Sequence, residues 1–303
     1  MSLVASAKTD IKLEAVNVYW GTEKCEKVTF VDDSSGSLSG EYFDINVIGD
    51  DLETETKYYV LMDNGSAVDP APVGKTKIPV VYSDDDDAAT LAGLFVTALS
   101  GLDISASQDG ADVMYENKYI GATSEEDYSN APSFTFEELR ASKGGSLGST
   151  AQGGSTLNME AQSVDLTSDQ TGSLVLGQIY TGSAASIDMS LIEMTKERWE
   201  TVVGSVTGDV HTPSGGTRLV GYGESRLYQN LFDLGGKLIL RPISKGTDKS
   251  EDVIFWKSAP LPSSISYSGQ DIQGMEVSFV AYNDKSKPSE ISLFAQGDWD
   301  QTL

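Results

Sequence analysis

The sequence predicts a mainly β protein, a β-sandwich or partial barrel with one short helix, which is interrupted by a small inserted α+β domain. Many segments alternate apolar and polar residues and end at Gly, Ser or Asn-Gly turn signals. Acidic residues are also unevenly distributed, since residues 38–130 contain 19 Asp and Glu against 4 Lys and Arg, in a chain of net charge −25. Because this shift in composition indicates a separate unit, we place the inserted domain at 38–139 and the β domain at 1–37 and 140–303.

The first half of the chain predicts strands around a single helix. Strand-like alternation occurs in "DIKLEAVNVYWG", "KCEKVTFVDDSSG" and "EYFDINVI". "TKYYVLMDNGSAVDPAP" predicts a strand that enters an Asn64-Gly65 turn, the strongest short hairpin signal, and "KTKIPVVYS" predicts a further strand. Apolar residues then follow a spacing of three and four, which predicts a helix from about Ala88 to Leu99. Ser83 or the first aspartates of the run 84–87 cap this helix, acids occupy its first turn, and Gly101 ends it.

The remainder of the chain predicts further strands with one helix. "DISASQDGADVMYENKYIGAT" predicts two strands around an Asp-Gly turn, and the Gly/Ser-rich residues 141–155 predict a linker. "STLNMEAQSVDLTS" and "SAASIDMSLIEMT" predict long strands joined by a long hairpin loop, and Thr195 caps a short helix in "TKERWETVVG". The last predicted strands are "GGKLILRPIS", "EDVIFWKSAP", "ISYSG", "GMEVSFVAYND" and a short one in the tail "PSEISLFAQGDWDQTL".

The composition excludes several classes of protein. No apolar run approaches the roughly 18 residues that a membrane-spanning helix requires, and the first residues lack the pattern of a signal peptide, so we expect neither. A disulfide within the chain is impossible because Cys25 is the only cysteine, which fits folding in a reducing cytoplasm. The charge of −25 repels nucleic acid phosphates, so a DNA-binding module is not expected. Such a charge could suit a surface that DNA must pass without sticking.

Two motifs could suggest a nucleotide or metal site, but their spacing argues against both. Gly74-Lys75-Thr76 resembles the end of a P-loop, yet Asp69 stands where the first glycine is needed, and a strand rather than a helix follows. Calcium loops alternate their ligands, whereas the four consecutive aspartates 84–87 fan out at a helix start. The sequence therefore predicts a capped, solvated helix start with neither nucleotide nor metal.

Other catalytic signals are missing from the sequence. No G-x-S-x-G, H-E-x-x-H or paired C-x-x-C motif occurs. The single histidine, His211, lies in the turn-rich "GDVHTPSGG" and is interpreted as an ordinary loop residue. The four tryptophans lie in apolar patterns and are interpreted as packing residues: Trp20, Trp199, Trp256 and Trp299. We therefore expect no enzyme activity, no catalytic residue, no metal and no cofactor.

Several stretches resemble the major tail tube proteins of long-tailed bacteriophages. "NMEAQSVDLTSDQTG" and "AASIDMSLIEMTKERWETVVG" are similar to the central strands and helix of that family. Near the C-terminus, Arg241-Pro242, the stretch from Asp252 to Pro260 and the strand 277–281 are similar to the family's last strands. The resemblance covers residues 155–295 and, less closely, 1–37.

The resemblance implies a structural role without catalysis. Six subunits would form a ring around a continuous β-barrel, and stacked rings would form a tube with an acidic lumen that conducts viral DNA to the host. The expected partners are other copies of this chain, the tape measure, tail terminator and tail tip proteins, and passing DNA, with no membrane. The protein would assemble in the host cytoplasm and reside in the virion tail. The hairpin loop at about 168–184 would reach a neighbouring subunit through Asp169, Gln170, Thr171, Gly172, Leu174, Leu176, Ile179 and Tyr180.

The segment 38–139 departs from the plain tail tube pattern and is similar to small insertion modules of phage structural proteins. Because such an acidic domain cannot share a narrow channel with DNA, we expect it to project outward. It could keep virions dispersed, bind host-surface sugars or have no binding role. Two alternatives for the whole chain remain open at this point, an adhesin or carbohydrate-binding β-sandwich, and a hydrolase that uses two carboxylates.

Overall fold

The chain forms two compact units, which comprise residues Met1–Tyr19 with Leu147–Leu303 and residues Trp20–Ser146. A computed structural model describes residues 15–167, 175–192, 195–206, 210–211, 219–220, 228–266 and 274–300. The prediction of a mainly β fold is confirmed, since strands greatly outnumber helices along the chain. We call Trp20–Ser146 the acidic unit, because it contains 25 Asp and Glu against 8 Lys and Arg.

The acidic unit contains two sheets and one helix. Its elements, together with the strand that leads into it, are β1 (Val16–Thr22), β2 (Cys25–Thr29), β3 (Tyr42–Ile48), β4 (Glu55–Asp63), β5 (Thr76–Val81), α1 (Ala88–Leu99), β6 (Ile104–Asp109), β7 (Asp112–Asn117) and β8 (Thr135–Arg140). One sheet has the order β3-β4-β5 and the other the order β6-β7-β2-β8. The unit is wider than the predicted 38–139, because β2, which precedes residue 38, pairs with β7 and β8 in its four-stranded sheet.

Aromatic side chains join the helix to both sheets. The Phe95 ring of α1 lies 5.4 Å from the Phe30 ring, 5.7 Å from the Phe43 ring and 6.0 Å from the Tyr115 ring. Such tilted and edge-to-face pairs stabilise a core beyond the area that they bury. Leu91, Ala92 and Leu99 of α1 are buried beside Phe95, at the helical spacing that the sequence predicts.

The other unit is built around one seven-stranded sheet. Its further elements are β9 (Lys143–Thr167), β10 (Val175–Leu191), α2 (Lys196–Val206), β11 (Val210–His211), β12 (Leu219–Val220), α3 (Leu231–Leu234), β13 (Gly236–Pro242), β14 (Val253–Ser266), β15 (Gly274–Ala281) and β16 (Phe294–Gln296). The strand order is β13-β1-β9-β10-β15-β14-β16, and β13 also pairs with β14. The pairing of β13 with β14 therefore closes six of the strands into a ring, and β16 pairs with β14 outside that ring.

The predicted linker at 141–155 is wrong, because residues 143–155 form the first half of β9. One glycine of this segment, Gly144, lies at a close backbone approach with Gly21 of β1. A methyl group built on Gly21 would overlap the Lys143 carbonyl, and one built on Gly144 would overlap the Trp20 carbonyl. Gly144 also has a φ of +82°, which disfavours other residues. Gly21 and Gly144 therefore allow the backbones of β1 and β9 to approach closely.

The Asn64-Gly65 hairpin is also wrong, because β4 and β5 run parallel, with Tyr58 opposite Thr76. Parallel strands cannot be joined by a two-residue turn and need a crossover, here the residues between Asp63 and Thr76. Side chains shape the start of this connection, since Asp63 accepts a hydrogen bond from the Gly65 N–H and Asn64 accepts one from the Ser66 N–H. The turn signal therefore marked a local side-chain turn.

Most of the remaining elements agree with the sequence. The predicted hairpin around Gly110 is confirmed by β6 and β7, in which Asp109 pairs with Asp112. Thr195 caps α2 by accepting a hydrogen bond from the Arg198 N–H at 3.3 Å. His211 does not lie in a loop as predicted but in the short strand β11. Trp20, Trp256 and Trp299 are buried as predicted, and Trp199 is half-buried.

Candidate interaction surface

A two-stranded ribbon extends from the large sheet at the far ends of β9 and β10. We define the ribbon as residues 158–167 of β9 and 175–184 of β10, which pair antiparallel from Val175 opposite Thr167 onward. The next strand, β15, pairs with β10 only between Ser186 and Leu191. On the other side β9 neighbours β1, whose Val16 N–H donates to the Thr150 hydroxyl at 3.2 Å. Among the described residues, the ribbon therefore has no third strand to support it.

The residues predicted to reach a neighbouring subunit fall into two groups. Five of them lie outside the described residues: Asp169, Gln170, Thr171, Gly172 and Leu174. The other three, Leu176, Ile179 and Tyr180, belong to β10 and not to a loop. The predicted loop at 168–184 is therefore wrong over 175–184, because the backbone of these residues continues the ladder with β9.

Apolar side chains are exposed on both faces of the ribbon. Ile179 is 52% exposed and stands opposite Val164, which is also exposed. Tyr180, which is 63% exposed, points to the other face because successive residues of a strand alternate. Exposed apolar patches and unpaired strand edges are typical of surfaces that bind another chain.

The exposure begins abruptly along β10. Ala185, Ile187, Met189 and Leu191 are buried in the sheet, whereas residues 178–181 are all exposed. The strand therefore changes from a core strand to a projecting one between Ala184 and Ala185. A two-stranded ribbon is at best marginally stable alone in water, so this extension gains stability if another chain covers it.

The ribbon is also free of positive charge. No Lys or Arg occurs between Lys143 and Lys196, whereas Glu160, Asp165 and Asp188 lie on β9 and β10. Two of these carboxylates accept hydrogen bonds across the strands, Asp165 from Gln178 and Asp188 from Asn158, both at 2.8 Å. This stretch therefore lacks the Lys and Arg side chains whose charge supplies most of the non-specific attraction to nucleic acid phosphates.

The four consecutive aspartates form hydrogen bonds within the acidic unit instead of converging on a site. Asp84 accepts from the Asn64 amide, Asp85 from the Ser35 N–H, Asp86 from the Ser83 N–H and Asp87 from the Thr90 N–H. Asp87 is thus the cap of α1, and the expectation of acids in the first turn is wrong, since all four precede the helix. No metal-binding group of three or more His, Cys, Asp or Glu occurs in the part of the chain that the structure describes.

Asp33 organises the loop beside this run. Its carboxylate accepts hydrogen bonds from the N–H groups of Gly36 and Leu38 at 2.6 and 3.0 Å and from Asp85 at 3.1 Å. Burial alone would raise the pKa of Asp33, but the Leu38, Asp85 and Gly36 N–H groups outweigh it and hold the pKa below its ordinary value. The Asp33 carboxylate therefore holds the loop before β3 against the aspartate run, and its lowered pKa keeps it ionised to a lower pH than an ordinary aspartate.

Asp33→Ala should lower the melting temperature of the acidic unit by about 5 °C or more, because one buried and two partly buried N–H groups lose their acceptor. Asp32→Ala is the matched control, since Asp32 accepts a single exposed N–H, that of Ala88. Because the pKa of Asp33 is lowered on folding, its contribution is complete above its unfolded pKa and is lost as the pH falls through the folded value. Calorimetry across acidic pH would measure both effects, and equal melting temperatures for the two variants would contradict this role.

Comparisons with known proteins add no assignment. Neither the scan against protein-family models nor the search of curated proteins finds a match for this chain. Within the described ranges, every helix is too short or too polar to cross a membrane.

Proposed function

We propose that the protein is the structural subunit of a bacteriophage tail tube, in which six-membered rings stack into a hollow tube that conducts viral DNA. The observation that supports this most strongly is the projecting ribbon, whose edges have no further strand beside them within the described residues and whose Val164, Ile179 and Tyr180 are exposed. A second copy of this chain is the occupant that explains the ribbon best, because continued strand pairing would satisfy both edges at once.

The lack of positive charge on β9 and β10 supports the same proposal. A tube wall in contact with DNA should repel phosphates, since each neutralised phosphate would hold the genome back. The stretch between Lys143 and Lys196 contains only acidic charged residues, and six copies would multiply that effect. In this proposal the tape measure, tail terminator and tail tip proteins are the further partners, and the virion tail is the final location.

The acidic unit has a separate role in this proposal. Its net charge of −17 is too large for a domain that shares a narrow channel with DNA, so we place it on the outside of the tube. There it would hydrate the outer face and keep tails from adhering to one another.

The test is the oligomeric state of the purified full-length protein. Light scattering at increasing concentration should reveal assemblies of six subunits or more, because exposed apolar ribbons favour association. A protein that stays strictly monomeric at high concentration, and that binds sugars, would contradict the proposal and favour an adhesin.

Removing the acidic unit should leave assembly intact. Residues 23–142 can be replaced by a short Gly-Ser linker, because the backbones at Gly21 and Gly144 approach each other closely. The shortened chain should retain its β-sheet circular dichroism and form assemblies of the same subunit number. A shortened chain that folds but remains monomeric would show that the acidic unit belongs to the subunit interface.

A further inference from the structure

A buried cluster in the acidic unit brings together two carboxylates that are far apart in the sequence. Glu26 lies on β2 and Glu126 in the connection between β7 and β8, and both side chains are almost completely buried, with 4% and 0% exposed. The ammonium group of Lys24 lies 2.8 Å from Glu26 Oε1 and 2.7 Å from Glu126 Oε2. We call Lys24, Glu26, Tyr115, Glu126 and Tyr128 the carboxyl cluster.

The hydrogen bonds of the cluster require one shared proton. The Tyr128 hydroxyl oxygen lies 2.6 Å from Glu26 Oε1 and 2.5 Å from Glu126 Oε2. A hydroxyl has a single hydrogen, so it can donate to only one of these oxygens. The other short contact is a hydrogen bond only if that carboxyl is protonated and donates to the hydroxyl oxygen. Two carboxylates so close together would also repel if both were ionised.

The remaining contacts indicate that the proton resides mainly on Glu126. Glu26 accepts a further hydrogen bond from the Tyr115 hydroxyl, which stabilises its ionised form. Burial and then the negative charge of Glu26 raise the pKa of Glu126 to about 7. Burial would raise the pKa of Glu26 as well, but hydrogen bonds from Glu126, Lys24 and the two tyrosines hold it below its ordinary value.

The cluster anchors one segment of the unit, residues 123–128. Glu126 Oε1 accepts a hydrogen bond from the Asn46 N–H of β3 at 2.6 Å. The other charged groups that hold or face the segment are Glu55 and Lys57 on β4, Asp44 with Lys75, and Glu125, Asp127 and Glu138. A cavity of about 330 Å³ borders Lys24, Glu126 and Tyr128, so that water has a route to the cluster.

We propose that Glu26 and Glu126 form a proton-operated latch, which holds residues 123–128 against β2 and β3 while the pair shares a proton. When that proton leaves, one ammonium must balance two buried carboxylates, and the contact between Tyr128 and one of them loses its hydrogen. The segment then opens at the cavity, which exposes Glu126 to water.

The sign of the effect follows from the direction of the pKa change. Glu126 binds its proton more tightly in the folded unit than in the unfolded chain, so the unit loses stability as the pH rises through about 7. Both tyrosine hydroxyls stay protonated, because burial and the nearby carboxylates raise their pKa values. Opening of the segment should therefore follow the loss of a single proton.

Hydrogen exchange of the full-length protein, measured by mass spectrometry from about pH 5 to about pH 8.5, tests the latch. After correction for the intrinsic exchange rate, protection of residues 123–128 should fall by up to about tenfold per pH unit as the pH rises to about 7, and it should level off above that pH, because the folded and opened forms then carry the same number of protons. Glu126→Gln stays neutral at every pH and should remove this dependence, while a β14 peptide serves as the internal control. Constant protection in the wild type, or the same fall in Glu126→Gln, would overturn the proposal.

A second measurement covers the case in which Glu126→Gln fails to fold. Infrared difference spectra of the wild-type protein should contain the C=O band of one protonated buried carboxyl near pH 6, and this band should disappear above neutral pH. Absence of the band at the lower pH would overturn the shared proton without any variant.

Discussion

Replacing Ile179 and Tyr180 by aspartate should abolish self-assembly, with at least about a hundredfold loss of apparent affinity between subunits. In the proposed tube these two side chains are covered by a neighbouring subunit, and burying two unpaired carboxylates would cost several kcal/mol. The fold should survive because both side chains are exposed in the single chain, at 52% and 63%. Sedimentation velocity would measure the loss, and circular dichroism would verify the fold.

Thr181→Asp is the matched control for charge. Thr181 is also exposed on β10, but it is polar and has no direct partner in the ladder with β9. Thr181→Asp should weaken assembly far less than the simultaneous replacement of Ile179 and Tyr180 by aspartate does. If the double variant assembles as the wild type does, the ribbon is not the interface and the proposed contact is wrong.

Asp252→Ala should destabilise the seven-stranded unit by about 3–5 kcal/mol, because it removes the carboxylate that balances the buried charge of the Arg241 guanidinium. The two side chains are 0% and 2% exposed, and Arg241 donates from Nε to both carboxylate oxygens at 3.1 Å. The indole N–H of Trp299 donates to the same carboxylate, also at 3.1 Å. Chemical denaturation of the purified variant would measure the loss of unfolding free energy.

Asp248→Ala provides the control for this variant. Asp248 precedes the same strand and is exposed, and its carboxylate accepts a local hydrogen bond from the Ser250 N–H at 2.9 Å. Its replacement should change the denaturation midpoint little. An Asp252→Ala protein as stable as this control would contradict the structural role of the ion pair.

The sequence predicted those elements whose stability comes from a local pattern. The alternation in "STLNMEAQSVDLTS" and "SAASIDMSLIEMT" identified β9 and β10, and the three-and-four spacing from Ala88 to Leu99 identified α1 within its observed bounds. A cap such as Thr195 was recognisable because the donor and the acceptor are three residues apart.

The sequence pattern could not predict features that depend on contacts between residues far apart in the chain. The parallel pairing of β4 and β5 follows from a crossover, and the Asn64-Gly65 signal is the same whether or not a hairpin forms. Residues 135–140 did not suggest a strand, because their charged side chains obscure the alternation of β8. Glu26 and Glu126 are a hundred residues apart in sequence, so no spacing could have indicated the shared proton.

The contacts in the structure give two features of the sequence a different role from the one that the sequence suggested. Arg241 and Asp252 belong to the stretches that resemble tail tube proteins, and the structure joins them in one buried ion pair. The aspartate run at 84–87, which first suggested a metal or nucleotide, instead supplies four separate hydrogen-bond acceptors to nearby turns.

Electron microscopy of the assembled full-length protein tests the proposed function most directly. The proposal predicts rings of six subunits with an open central channel, stacked into tubes with protrusions on the outer surface that disappear when residues 23–142 are removed. Closed globular particles without a channel, or a protein that remains monomeric under every assembly condition, would contradict it.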